Sequence, residues 1–201
     1  MDMGFSLGFA RNVQSDKMKD YSAALPPIYK KYGGYYLALG GAGRGARPLT
    51  ETWNDRAIMF AAFPSPQAVS GFWWSPEYRA AAKLREGAVE VDVCGLAGQT
   101  VKPGHKFFLI TALSGAGHSL DALMPSQDDL ARSGADILVS ASGDEVEALE
   151  GNFADTSIVI VGFPDEAALT RFWDTWDEQL KKCADDSALS VAAYSAQKAG
   201  S

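Results

Sequence analysis

Phe63-Pro64-Ser65-Pro66, with the run Gln67-Ala68-Val69-Ser70-Gly71-Phe72-Trp73-Trp74 behind it, decides how this chain is read. Phe63-Pro64 returns as Phe163-Pro164, and Phe72-Trp73 returns as Phe172-Trp173, each 100 residues later. Gly34 with Gly134, Leu49 with Leu149, Trp53 with Phe153 and Ile58 with Ile158 keep the same offset. A spacing shared by so many landmarks marks an internal repeat, which takes precedence over any local signal. The chain reads as two copies of one unit, residues 1–100 and 101–201, each of ordinary domain size.

Outward from that stretch, the first copy falls into six elements. Phe5-Ser6-Leu7-Gly8-Phe9-Ala10 alternates large apolar with small residues, a strand with two unlike faces. Ser15-Asp16 supplies a helix N-cap, and Met18, Tyr21, Leu25, Ile28 and Tyr32 follow at helical spacing. Pro26-Pro27 removes two backbone donors and predicts a kink or two short segments; Gly33-Gly34 closes the helix. Tyr35 to Leu39 is a second strand, Gly40 to Pro48 a glycine-rich hairpin connection, and Ala57-Ile58-Met59-Phe60 centres a third strand. Helical pieces start near Pro66 and Pro76, the latter carrying Tyr78, Ala82 and Leu84 or Arg85 on successive turns. Val89, Val91 and Val93 alternate with Glu90, Asp92 and Cys94 in a fourth strand. The order β-α-β-β-α-β is ferredoxin-like, and the second copy repeats it after the linker Gly98 to Gly104.

A four-stranded sheet with both helices on one side leaves its other face bare, and burying that face needs another layer. Two copies supply it by stacking sheet on sheet, which removes several hundred Å² per face from water, worth on the order of 10 kcal/mol gross. The expected fold is therefore α+β: two tandem ferredoxin-like units forming a dimeric α/β barrel within one chain. The expected state is a monomer holding an internal pseudo-dimer, with a further homodimer left open.

Composition narrows the function. Hydrophobic residues at 47% against 21% charged suffice for a real core. A net charge of −7 with no basic stripe argues against nucleic acid and against an anionic membrane surface. No apolar run reaches spanning length, and Met1-Asp2-Met3-Gly4 lacks the basic start of a signal peptide. Cys94 and Cys183 stand far apart in no metal or redox spacing. The expectation is a cytoplasmic protein with a small-molecule partner.

The first copy also carries Leu25-Pro26-Pro27, Lys31-Tyr32-Gly33-Gly34-Tyr35-Tyr36-Leu37, Gly40-Gly41, Trp53, Arg56, Phe63-Pro64-Ser65, Ser75-Pro76-Glu77-Tyr78 and Arg85. This pattern resembles a widespread bacterial family of small uncharacterised domains in the dimeric α/β-barrel superfamily. The second copy keeps Gly134, Leu149-Glu150-Gly151, Phe163-Pro164 and Phe172-Trp173 but has no Ser-Pro-Glu-Tyr segment, and looks like a diverged copy. The resemblance implies units whose sheets pair face to face, here as a fused dimer. It places the chain beside cofactor-free monooxygenases, isomerases, cyclases and haem-binding enzymes. The family usually has arginine where this chain has Tyr35 and Leu39. Its Glu-Gly before the aromatic appears here as Thr50-Glu51 in the first copy and as Glu150-Gly151 in the second.

Candidate chemistry is sparse. Gly41, Gly43 and Gly45 with Arg44 and Arg47 lead into a strand and not a helix, so a hairpin is a better reading than a phosphate cradle. His105 and His118 bracket one strand and sit near its opposite ends, and no structural-zinc spacing occurs. Cys94 has no neighbouring base, and no Gly-x-Ser-x-Gly elbow exists. Glu90 and Asp92, at i and i+2, share one strand face opposite the valines. At an exposed edge they are solvated; in a pocket, paired carboxylates push one pKa up and give a general base. The aromatic set, rich in Trp and Tyr, concentrates in the first copy, which is taken to hold the ligand pocket, while the second mainly completes the barrel. Of the neighbours Trp73 and Trp74, only one can face the core.

The leading expectation is a cofactor-independent isomerase, cyclase or lyase acting by proton transfer on a small organic metabolite. Asp92 or Glu90 is assigned as base, and Tyr36 or Tyr78 as acid. Arg44 or Arg79 anchors an anionic group, with Trp53, Trp74 and Tyr21 lining the substrate site; no metal or cofactor is expected. The alternatives are a non-catalytic binding or accessory protein and, more weakly, a cofactor-free monooxygenase.

Overall fold

The structure is a computed structural model that describes residues 2–40, 45–115, 117, 119–184 and 190–199. In chain order the elements are β1 (Met3–Arg11), α1 (Lys19–Lys31), β2 (Tyr35–Gly40), β3 (Ala46–Pro48), β4 (Ala57–Phe63), α2 (Pro66–Trp73), α3 (Pro76–Ala82) and β5 (Glu90–Gly98). They continue with β6 (Phe107–Ser114), α4 (Gln127–Ser133), β7 (Asp136–Ser142), β8 (Glu147–Glu150), β9 (Thr156–Phe163), α5 (Glu166–Ala184) and β10 (Ser190–Gln197).

Two antiparallel sheets result, ordered β2-β4-β1-β5-β8 and β3-β10-β6-β9-β7. Without β8 and β3, each has the ferredoxin-like order in which the first strand lies between the third and the fourth. The exchange of β3 and β8 between sheets is what the sequence reading, with its plain hairpin over Gly40 to Pro48, did not foresee. Arg47 of β3 pairs with Ser195, and Glu147 of β8 pairs with Gly95, again 100 residues apart. Two further bonds tie the sheets at their margins: Gln99 N–H donates to the Leu138 carbonyl at 2.7 Å, and Ala199 N–H donates to the Leu37 carbonyl at 2.6 Å.

Alternation along the strands builds the layers. Phe5, Leu7 and Phe9 of β1, Ile58 and Phe60 of β4, and Cys94 and Leu96 of β5 pack against Phe108, Ile110, Ile158, Ile160 and Tyr194 of the second sheet. Phe60 meets Phe108 edge-on across the seam at 5.5 Å. Each such side chain withdrawn from water contributes about 1.5–3 kcal/mol. The expected face-to-face stack of sheets, with helices outside, is what the structure shows.

The helix layer follows local rules with two departures. Ser65 and Ser75 each cap a helix that starts on proline, accepting from Ala68 N–H at 3.2 Å and Tyr78 N–H at 3.1 Å. Ser15-Asp16 does not cap α1; a 3-10 turn over Ser15–Met18 precedes it. Nor do Pro26 and Pro27 divide α1. They lie on its solvent face, where their rings are accommodated without burial. A Schellman end closes α1, with Gly33 left-handed and Gly34 N–H donating to the Tyr29 carbonyl at 2.8 Å. Gly134 is the left-handed residue at the end of α4, so its counterpart is Gly33, one residue off the 100-residue register.

Candidate functional site in the helix layer of the first half

A cavity of about 280 Å³ lies between the outer face of the first sheet and the layer of α1, α2 and α3. Strand composition explains why it is here. On β1 the residues turned toward the helices are Ser6, Gly8 and Ala10, opposite Ala61, Met59 and Ala57. At the matching register of β6 they are Leu109, Thr111 and Leu113, opposite Val161, Val159 and Ser157. The second half fills that space with Leu109, Leu113, Leu123 and Trp176, all buried in one cluster. The first half leaves it open. Gly8 forms part of the floor: a Cβ there would meet Met59 Cε at 3.1 Å and Val93 Cγ2 at 3.4 Å.

The walls are mostly apolar, with Leu25, Ile58, Met59, Trp73, Val91 and Val93. Into them project four tyrosines and one arginine: Tyr21 and Tyr29 from α1, Tyr36 from β2, Tyr78 from α3 and Arg85 just after it. The Tyr21 and Tyr78 hydroxyls are 3.3 Å apart. Tyr29 donates to the weak acceptor Met59 Sδ, at 3.7 Å. Burial pushes the Tyr36 phenol up to about 12, against an opposing hydrogen bond with Tyr29. Burial likewise drives Tyr29 and Tyr78 well above the ordinary tyrosine range, so these groups stay protonated donors at neutral pH.

Arg85 is 6% exposed. Burial alone would weaken its charge. The carboxylate of Glu150 on β8 reverses that, accepting from Nη1 at 3.2 Å and Nη2 at 2.6 Å, and with Tyr78 and Tyr21 it raises the guanidinium above its ordinary value. The Nε–H of Arg85 has no partner among the described residues. Trp73, fully buried, donates from Nε1 to the Leu149 carbonyl of the same strand at 3.1 Å. A strand from the second half therefore forms part of the first half's site.

Of the residues singled out from sequence, Tyr21, Tyr36 and Tyr78 come together in this cavity. Glu90 and Asp92 do not: they share the opposite strand face, as their spacing required. Glu90 is exposed and held below the usual carboxylate range by hydrogen bonds from Asn12 and Arg11, which weakens it as a base. Asp92 binds Arg56 at 3.0 Å at one end of the barrel. There Trp53, in a left-handed conformation, packs against Phe9 and under Arg56. Trp74 is exposed and Arg79 lies over it at 5.6 Å; both border a polar opening on the far side of Arg85. Arg44 and His118 lie outside the described residues. Sequence reading passed over Arg85, Tyr29 and Met59 as site residues. The spacing Tyr78, Ala82, Arg85 placed the arginine on the face of Tyr78, a usable signal. Among the described residues no cluster of His, Cys, Asp or Glu has the makings of a metal site.

Residues 4–99 match the family model of DUF1330, a domain of unknown function. That segment holds every cavity residue, while Glu150 lies beyond it. No curated protein matches the chain in sequence. Solved structures share the architecture at low identity. A Fusobacterium nucleatum protein provisionally named a monooxygenase superposes with a TM-score of 0.54 at 10% identity, over 98% of this chain and 92% of its own. An anthrone oxidase-like protein gives 0.53 at 11%, over 99% and 94%. A Lactobacillus acidophilus protein, also provisionally named a monooxygenase, gives 0.50 at 10%, over 98% and 97%. These likenesses show the fold alone, two packed antiparallel sheets with helices outside. No helix among the described residues is long and apolar enough to cross a membrane.

Proposed function

We propose that this chain is a small-molecule enzyme whose cavity takes a flat, mostly apolar phenol or enolisable ketone and holds it as the oxygen anion. The observation that carries this is the buried, charged Arg85 with an unused Nε–H beside the Tyr21–Tyr78 hydroxyl pair, in otherwise apolar walls. An oxyanion placed there gains charge-assisted hydrogen bonds in a low dielectric. The volume, just under the ~300 Å³ lower end of drug-sized sites, suits one or two fused rings. The reaction is a proton transfer that passes through an enolate, with Tyr78 or Tyr21 returning the proton. Neither carboxylate nor imidazole stands among the described lining residues, so water or hydroxide entering from solvent accepts the substrate's α-proton in place of the base role first given to Glu90 and Asp92.

A second reading, cofactor-free oxygenation, draws on the names of the similar folds. A bound enolate is electron-rich, and conversion of a methylene to a carbonyl by O2 balances with release of one water. We further propose that residues 1–100 and 101–201 descend from one duplicated unit; the shared strand order and the matching bonds at the two sheet margins support it.

The test uses 4-nitrophenol, whose anion absorbs at longer wavelength. Bound to the protein it should ionise at lower pH than in water, and Arg85→Met should remove that shift. A bound probe that ionises at higher pH than the free one overturns the oxyanion reading. Exchange of the α-hydrogens of a bound cyclic ketone for deuterium, followed by NMR, then supports proton transfer; oxygen uptake with an anthrone supports oxygenation. Tight binding with neither leaves a binding protein.

A further inference from the structure

Resting on that reading of the cavity, we propose that Glu150 is the positioning residue of the site. It fixes Arg85 so that the Nε–H meets the ligand's oxygen anion, and the first half's cavity therefore works only with a strand supplied by the second half.

A guanidinium carries donors along its end and its flank. Glu150 occupies the end, taking one hydrogen from each Nη. What remains buried and unpaired is the flank, the Nε–H. A buried donor with no acceptor is costly, and although the Nε–H is covered in this structure, an anion entering the adjoining cavity becomes its partner as the side chains over it give way. The fork also sets the plane of the guanidinium, because two parallel hydrogen bonds to one carboxylate allow little rotation. Glu150 itself is set by the β5–β8 pairing, where it stands opposite Val93, a cavity residue.

Without the carboxylate, Arg85 would be a buried charge with no counterion, which is strongly disfavoured. An exit lies next to it. The polar opening bordered by Trp74, Arg79 and Glu86 shares Arg85 with the cavity and offers the released guanidinium water and the Glu86 carboxylate. The side chain then leaves the cavity, so loss of Glu150 weakens anion binding, although it removes a negative charge from the neighbourhood.

Glu150→Gln in the full chain tests this, since it keeps the shape and removes the second acceptor. Tryptophan quenching reads binding of two probes at mildly alkaline pH: 4-nitrophenolate, and nitrobenzene, which lacks the oxygen anion. In the native chain the anion binds more tightly. In Glu150→Gln the Kd for 4-nitrophenolate should rise about ten-fold or more while that for nitrobenzene moves less than about two-fold. Equal weakening of both probes makes Glu150 a merely structural residue and overturns the proposal. An unchanged preference for the anion also overturns it, while the oxyanion reading stands. A native chain with no preference for the anion removes the reading and the inference together.

Discussion

Gly4 and Gly8 lie on the same face of β1 and differ in what surrounds them. A Cβ on Gly4 would come within 2.2 Å of the Ser65 carbonyl oxygen, backbone that cannot yield without displacing the cap of α2. A Cβ on Gly8 meets the tip of Met59, which is flexible. Gly4→Ala should therefore cost roughly 2 kcal/mol or more in urea denaturation, and Gly8→Ala less than about 1 kcal/mol, while the latter alone narrows the cavity and weakens nitrobenzene binding. The buried phenols give a second expectation. Burial raises Tyr36 and Tyr194 to about 12. The unfolded chain, with tyrosines near pH 10, then loses its protons first as pH climbs. The tyrosine contribution should be flat below pH 10, and stability should fall between about pH 10 and 12, a loss that Tyr36→Phe makes shallower; a urea midpoint that does not move over that interval would contradict it. Residue by residue, sequence revealed which side chains share a face, because strand and helix periods are fixed. It did not reveal which face holds a cavity, since that depends on whether Ser6, Gly8 and Ala10 are covered by large residues from elsewhere. Hence Glu90 and Asp92 drew notice, and Arg85, the residue beside the open space, did not.

Among the elements, β3 and β8 have the least sequence signature and a large structural effect. Ala46-Arg47-Pro48 and Glu147-Ala148-Leu149-Glu150 are too short and too polar to show alternation, and each pairs with a strand distant in the chain. The longer strands and α5 were legible because their apolar periods extend over several residues. Trp73 links the two situations. It is the one of the Trp73–Trp74 pair that faces the core, and its indole N–H is satisfied by the Leu149 carbonyl of β8. Trp73→Phe should cost on the order of 1 kcal/mol or somewhat more, from the unpaired carbonyl and the smaller ring. The same change should loosen β8, seen as faster amide exchange at Ala148 and Leu149 than at β1, where exchange should be unaltered.

For the molecule as a whole, the open first half and the filled second half set the stoichiometry: one nitrobenzene per 201-residue chain by calorimetry, not two. The face-to-face arrangement was legible from the bare sheet face that each half must bury. The interlocking was not, because a linker long enough to connect two sheets says nothing about strands that cross between them. A fragment of residues 1–100 lacks both the second sheet and β8, leaving β5 as an exposed edge. It should aggregate or form a homodimer that restores both; a monomeric fragment with a cooperative melt would show that the halves are independent.

The exchange of β3 and β8 also bears on what substitution can do to such a molecule. When two identical chains complete each other's sheets, every change appears twice, and folding depends on concentration. In a single chain the partner is always present, however dilute the solution, and each position appears once. Residues corresponding to Gly8 can then become larger on one side while remaining small on the other. A solid half that serves as scaffold and a hollow half that serves as vessel is an arrangement available to one chain and closed to a symmetric pair.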